Sequence, residues 1–538
     1  MILLALLWLP VLGQARMAEL LSEQIADEVI DLASNDLTSI NHQQMQDGEA
    51  APDNDGVLLG MPTLDQMLSD RLVNVWMNPS YWASWVQQAL LDGNVMMPSP
   101  TDLFKPELWS KNVHVNNGDY ISPLPKALSD TSQLTYEWKG ETKTVADFML
   151  ATETDVIAFA VNGALLDELY LNGYAPEVRH QPWSITKTFV AATVGIAKSE
   201  GHIASLQDPI EKYIPELVGT AWEGATVENI LQMESGVFWD EDTPVLPLNS
   251  QVDQWIQLGI NHYTQGQLGM SRNEYLKSLP KAYEQGEEFH YSSANTQVLG
   301  WMLELIYDQP YNQIIEEKIW LPMGAQGDAK MVADRNGDVL SSQGLYARPY
   351  DFIRFGEVLR NRGVNSDGKR IIPADWVDAM VQMTDVSNGI YGLQTWVSYV
   401  GPKAYSALGF VGQAITVAPS KCLTALRLSH NIGLRYRRGE MDDPDAWGFS
   451  LEDGEPEWDS MLRQISEEFP ACNNKSATGP VDGGSEVASG GGGASNRWAL
   501  ALLLFAILGR GLRLPLSKRA AKRALLRITQ QQRNLTEL

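Results

Sequence analysis

Residues 184–201, SITKTFVAATVGIAKSEG, place apolar side chains on nearly every side of a helix that stops at Gly201. A helix of that kind cannot rest on a surface; other elements have to cover it all round. Directly before it, TDVIAFAVNGALLDELYLNGY holds two alternating apolar runs joined by Asn162-Gly163, the strongest short-range hairpin signal. After it come helical patterns at TVENILQM, NTQVLGWMLELIYD, YNQIIEEKIWLP, RPYDFIRFGEVLRNRG and PADWVDAMVQM, and strand-like runs at YGLQTWVSYV, AITVAP and CLTALRLS. Strands at both ends of the body with helices between them predict an α+β fold, an antiparallel sheet covered by helices with a helical lobe inserted. No internal repeat of about 20–50 residues is present.

The same helix opens on Ser184 with Lys187 three residues later, a spacing that puts both side chains on one helical face. A serine is a poor nucleophile until a neighbour takes its proton, and a lysine can do so only where desolvation or its surroundings weaken its hold on its own. Spacing alone decides little, because Ser278/Lys281 and Ser366/Lys369 repeat it. Pro280 in SLPK opposes a helix and SDGK contains an Asp-Gly turn, so only the Ser184 pair is expected on a buried helix. The N-terminus of that helix also favours negative charge developing on a reacting oxygen.

Two further segments bear on chemistry. In EFHYSSANTQVLGWMLELIYD, Tyr291 ends an extended stretch just before a helix, where a phenol can point into a cleft and relay a proton. His290 beside it is expected on the opposite face, and Asn295 is expected to cap the helix. In SALGFVGQAITVAP, Gly409 and Gly412 permit close backbone approach to a ligand, and the Phe410 N–H can join that of Ser184 in holding an oxyanion; in isolation the same glycines read as an edge-strand bulge.

Taken together, WSITKTFVAATVGIAKSEGHI, LQDPIEKYIPEL, ILQMESGVFWDED, HYSSANTQVLGWMLELI and GFVGQ resemble the S-x-x-K serine hydrolases. That group includes class C β-lactamases, β-lactamase-like esterases and 6-aminohexanoate-oligomer hydrolases, the last being most similar, and the resemblance runs from about residue 70 to 440. It implies a β-lactamase/transpeptidase-like fold with the site between sheet and helical lobe. Ser184 would be the acylated nucleophile, Lys187 its base, Tyr291 the proton relay and the Phe410 amide part of the oxyanion hole. Two positions depart from the β-lactamase pattern. Ala407 stands where a cationic or imidazole side chain helps bind a substrate carboxylate, which favours a neutral ester or amide over a β-lactam. Ser293 stands where β-lactamases have Asn, keeping a hydrogen-bonding group without the two-sided amide.

The expected function is an exported serine hydrolase cleaving a small ester or amide through an acyl-enzyme, without a cofactor. The alternatives are a peptidoglycan-directed D-aminoacyl peptidase or penicillin-binding protein, and a non-catalytic ligand-binding module on the same fold. No G-x-S-x-G, H-E-x-x-H or C-x-x-C occurs and the seven His are scattered, which argues against a nucleophile elbow or a catalytic metal. Asp334–Val339, DRNGDV, lacks the sixth-place Gly of a calcium loop and reads as an Asn-Gly turn. The formal charge of −27 repels phosphate backbones, so nucleic acid is not an expected partner.

The termini differ from the body. Residues 1–15 read as an export signal without its charged n-region, and 16–60 as an acidic leader too poor in apolar residues to order. The hydrolase domain is placed at 61–475, its first part including an amphipathic helical stretch at NPSYWASWVQQALLDGNVMMP. A Gly/Ser-rich linker follows at 476–496 and a short apolar segment with a basic tail at 497–538. The run Trp498–Leu508 is shorter than the about 20 residues of a spanning helix. With its glycines before and Arg/Lys after, it resembles the GlyGly-type C-terminal sorting signals of Gram-negative bacteria, which implies export and sorting machinery as partners and transient membrane attachment on the way to the periplasm or cell surface. A membrane-surface amphipathic tail is the other reading. Cys422 and Cys472 form a disulfide in an oxidising compartment and stay two inert thiols in a reducing one; the sequence leaves both open.

Overall fold

The computed structural model describes residues 111–171, 173–239, 271–333, 337–429, 451–452 and 455–472. The expected export signal, leader, amphipathic stretch at 78–98, linker and tail all lie outside these residues, as do the first three residues of the Asp334–Val339 turn.

The sheet grows from the hairpin. Strands β1 (Thr154–Val161) and β2 (Ala164–Tyr170) pair antiparallel, from Val161 opposite Ala164 to Val156 opposite Tyr170. Asn162 and Gly163 both take positive φ, 54° and 82°, as the tight turn between twisted strands requires. The rest of the sheet comes from the other end of the chain: β3 (Trp396–Val397), β4 (Tyr405–Gly409), β5 (Gln413–Ala418) and β6 (Leu423–Ser429). Among the described residues its order is β2-β1-β6-β5-β4-β3, and every pair is antiparallel. Every residue of β1 is buried because both faces are covered. Val156, Ala158 and Ala160 join one core while Ile157, Phe159 and Val161 join the other, the period-2 alternation of a strand packed on two sides.

The first core holds α1 (Ile185–Ser199), α2 (Ser293–Tyr307) and α3 (Pro349–Arg360). Helix α1 is the enclosed one: residues 185–197 are all buried, and the chain turns away through Gly201 at φ 85°. Its neighbours approach its backbone closely. A Cβ on Gly195 would stand 2.1 Å from the Trp376 ring, whose indole N–H donates to the Ala191 carbonyl at 2.9 Å. On the side of α3, Phe189 stacks on Phe355 with ring centroids 3.6 Å apart. The second core lies across the sheet, where α4 (Glu457–Ile465) and helix Val145–Ala151 cover the other face. The architecture is the β-lactamase/transpeptidase-like α+β fold expected from the sequence.

Three local expectations need correcting or completing. Only Trp396–Val397 of YGLQTWVSYV is strand, because Gln394 adopts φ 57° and the Gly392 N–H turns back onto the Thr395 carbonyl at 2.9 Å. The cap of α2 is Ser292, whose hydroxyl accepts from the Asn295 N–H at 3.3 Å. Asn295 itself lies in the first turn, its side chain accepting from the Ser235 hydroxyl at 2.9 Å and donating to the Ile230 carbonyl at 3.3 Å. Cys422 and Cys472 form a disulfide that fastens the turn after β5 to the segment after α4. Among the described residues no helix is long and apolar enough to cross a membrane.

Candidate active site

Ser184 sits at the N-terminus of α1 with its side chain making no capping hydrogen bond, so its hydroxyl is left to Lys187. The Lys187 Nζ lies 2.7 Å from Ser184 Oγ, 2.8 Å from Ser293 Oγ and 3.2 Å from the Ser342 carbonyl oxygen. Lys187 is 1% exposed and Ser184 8%, so the amine is shut in while the hydroxyl keeps a narrow opening. The i, i+3 geometry of α1 makes the first contact, and the first residue of α2 supplies the second.

Tyr291 comes to the same place by its ring: Lys187 Nζ stands 5.1 Å from the ring centroid, and behind the ring lie Trp396 at 5.3 Å and Tyr391 at 6.0 Å. These aromatics form a small cluster with Met233, Ile390 and Phe289 that fixes the tyrosine beside the amine. His290 faces the other way, with its Nε2 on the Trp239 carbonyl and its ring against Phe238 and Tyr283.

The turn Phe410–Gly412 between β4 and β5 borders the Pro182–Trp183 segment that leads into Ser184. A Cβ on Gly409 would stand 2.2 Å from the Pro182 carbonyl oxygen, so β4 ends in direct backbone contact with the segment that leads into Ser184. Gly412 takes φ 87°, and a Cβ there would meet the buried Arg427 guanidinium at 2.8 Å. Both glycines thus make room for other parts of the protein, Pro182 and Arg427, where the sequence pattern suggests approach to a ligand. Ala407, on the same strand, is 3% exposed and brings no charge to the site.

Sequence reasoning missed two contributors. Trp183, immediately before the nucleophile, has φ 51°, a left-handed conformation that costs a non-glycine residue about 1–2 kcal/mol. It is held there by its carbonyl, which accepts from the Thr186 N–H at 3.0 Å and the Thr186 hydroxyl at 2.7 Å, and its indole meets the Phe410 ring edge-on at 5.6 Å. Strain of this kind gathers at functional sites. The other is Ser342, which acts through its backbone carbonyl and so leaves no mark in the residue type. Glu234, next to Met233 of the aromatic cluster, has its carboxyl pushed up by burial, partly offset by a 2.9 Å hydrogen bond from the Thr384 hydroxyl. Among the described residues no group of three His, Cys, Asp or Glu side chains is placed to hold a metal ion.

Comparison with known proteins agrees with this fold. The model of the Beta-lactamase family matches residues 143–434. A 6-aminohexanoate-dimer hydrolase of Paenarthrobacter ureafaciens is 28% identical over 290 residues, covering 52% of this chain and 73% of that protein. Among solved structures, a Bacillus anthracis protein under the provisional name 6-aminohexanoate-dimer hydrolase aligns with a TM-score of 0.57 at 22% identity, over 69% of this chain and 93% of that one.

Proposed function

The chain belongs to the Beta-lactamase family and is a hydrolase of that family, and from this premise we propose that it cleaves a small neutral ester or amide through an acyl-enzyme on Ser184. The observation that carries the reading is the 2.7 Å contact between a buried Lys187 amine and the Ser184 hydroxyl. Removal from water works against the ammonium form of a lysine, which readies it to act as base. Lys187 takes the Ser184 proton as Oγ bonds to the substrate carbonyl carbon. The resulting oxyanion is held by the N–H groups of Ser184 and Phe410. As the tetrahedral intermediate collapses, the bond to the leaving alcohol or amine breaks, and that group takes the proton through the Tyr291 phenol. Water then adds to the acyl carbon with the same groups accepting its proton, the ester bond to Ser184 breaks, and the carboxylic acid leaves.

The uncharged Ala407 supports a neutral acyl group over one bearing a carboxylate, and so counts against a β-lactam or a peptidoglycan stem peptide. The relatedness to a 6-aminohexanoate-dimer hydrolase supports a linear amide as one substrate class. The Cys422–Cys472 disulfide supports export, since such bonds persist in oxidising compartments.

The test is a fluorophosphonate probe together with short-chain chromogenic esters and linear amides, applied to the full chain and to Ser184→Ala. Labelling and turnover in the wild type that vanish in the variant are expected. A wild type that neither labels nor turns over would falsify the reading and leave a ligand-binding module in its place.

A further inference from the structure

The Ser342 carbonyl that meets Lys187 belongs to the fully buried stretch Val339–Ala347, and two buried glutamines grip that stretch from opposite sides. Gln181, three residues before Ser184, uses both ends of its amide: Nε2 donates to the Gln343 carbonyl at 3.1 Å, and Oε1 accepts from the Tyr346 hydroxyl at 2.8 Å. Gln297, one turn after Ser293 on α2, does the same. Its Nε2 donates to the Val339 carbonyl at 2.7 Å, and its Oε1 accepts from the Ser341 N–H at 3.0 Å and the Ser341 hydroxyl at 3.1 Å. Backbone pairing of His180 with Ala347 closes the grip on the Gln181 side. On the other side Gly300, on the same face of α2 as Ser293 and Gln297, lets the stretch lie against the helix. A Cβ there would stand 2.1 Å from Ser341 Oγ.

We infer that Gln181 and Gln297 are positioning residues that set the orientation of the Lys187 amine by fixing the Ser342 carbonyl, an inference that rests on the proposed role of Lys187 as base. A carbonyl oxygen can only accept a hydrogen bond, whereas the hydroxyls of Ser184 and Ser293 can donate or accept. The carbonyl therefore commits one N–H of the amine and leaves the other N–H and the lone pair to the two serine hydroxyls. With Ser293 accepting the second N–H, the neutral amine turns its lone pair to the Ser184 hydroxyl. Each glutamine is tied by sequence to one of the two serines, Gln181 to Ser184 and Gln297 to Ser293. The pair thus sets the carbonyl in register with both reacting helix ends at once. Neither glutamine touches the reacting atoms.

The experiment measures the rate of fluorophosphonate labelling of Ser184 against pH in the full-length wild type, Gln181→Met and Gln297→Met, with thermal melts alongside. Each methionine keeps the volume and removes the side-chain hydrogen bonds, two at Gln181 and three at Gln297. Labelling is expected to slow by about tenfold or more, as reacting groups held loosely lose orientation. Its acid limb should move to lower pH, because an acceptor that steadies the charged amine has been withdrawn. Tyr346→Phe, which removes the hydroxyl bonded to Gln181 Oε1, should slow labelling by a few-fold in the same direction and carries the test if the methionine variants do not melt cooperatively. A wild type that labels while the variants label within about twofold of it, with the acid limb unmoved, overturns the inference alone. A wild type that never labels overturns the reading of the site and this inference with it.

Discussion

The same Ser–Lys spacing of three residues occurs three times in this chain, and the three places behave differently. In the first, Ser184 and Lys187 meet at 2.7 Å inside a closed cage. In the second, the Ser278 hydroxyl turns back to the Tyr275 carbonyl at 2.6 Å while Lys281 pairs with Glu284 at 2.8 Å on the surface. In the third, exposed Ser366 contacts Ser122, and the Asn365–Lys369 turn passes through Gly368 at φ 82°. The lesson is that a reactive pair is made by what encloses it. Only where the helix carrying the spacing is surrounded does the amine lose its water, and only there are its other directions taken by fixed acceptors.

The strongest way to break this comparison is to remove the amine. Lys187→Met should lower labelling and ester turnover by about 10²–10⁴-fold, the usual share of a positioned acid or base, while Lys281→Met and Lys369→Met leave both rates within about twofold. Equal losses at all three lysines would show that enclosure is not what matters. A smaller effect is expected where the spacing is kept and the enclosure is disturbed. Gly409→Ala puts a methyl 2.2 Å from the Pro182 carbonyl, so either β4 or the segment before Ser184 must shift. A loss of about 10–100-fold in kcat/KM, with destabilisation of about 1–3 kcal/mol in a denaturant melt, is expected.

The smallest effect comes from the face of the sheet away from the site. Asp459 on α4 is buried, accepts the Tyr399 N–H at 2.7 Å, and has its carboxyl pushed up to about 7 chiefly by burial. Its folded form holds a proton that the unfolded chain releases near 3.8, so stability is full below that pH and declines as pH rises through about 7. Asp459→Asn should flatten the fall in Tm between about pH 4 and 7, a change of a few degrees, and leave the pH profile of labelling where it was. A moved labelling profile would mean that the two faces of the sheet are electrically coupled.

What could be read from the sequence was local or periodic. The Asn162-Gly163 turn, the apolar wrapping of α1 and the i, i+3 pairing of Ser184 with Lys187 each depend on a few adjacent residues. So does the replacement of Asn by Ser293, which the structure places on Lys187 at 2.8 Å. The contributors that escaped notice come from distant parts of the chain or act through backbone. Ser342 reaches Lys187 from 155 residues away through a carbonyl every residue possesses. Trp183 is held left-handed by Thr186, a state its residue type argues against. At Ser292 and Asn295 two good capping residues compete within one turn, and tertiary contacts to Ser235 and Ile230 draw Asn295 away. Local preference proposes such features; packing with remote segments decides them.

The disulfide also marks the end of the sheet remote from the site. Strand β5 runs from the Gly412 turn beside the Pro182–Trp183 segment to the turn that carries Cys422, and its six residues span about 20 Å at the usual rise per residue. Cys472 is pinned at that far pole, so the two ends of one strand are held by different means, close backbone approach to the Pro182 segment at one and a covalent bond to the segment after α4 at the other.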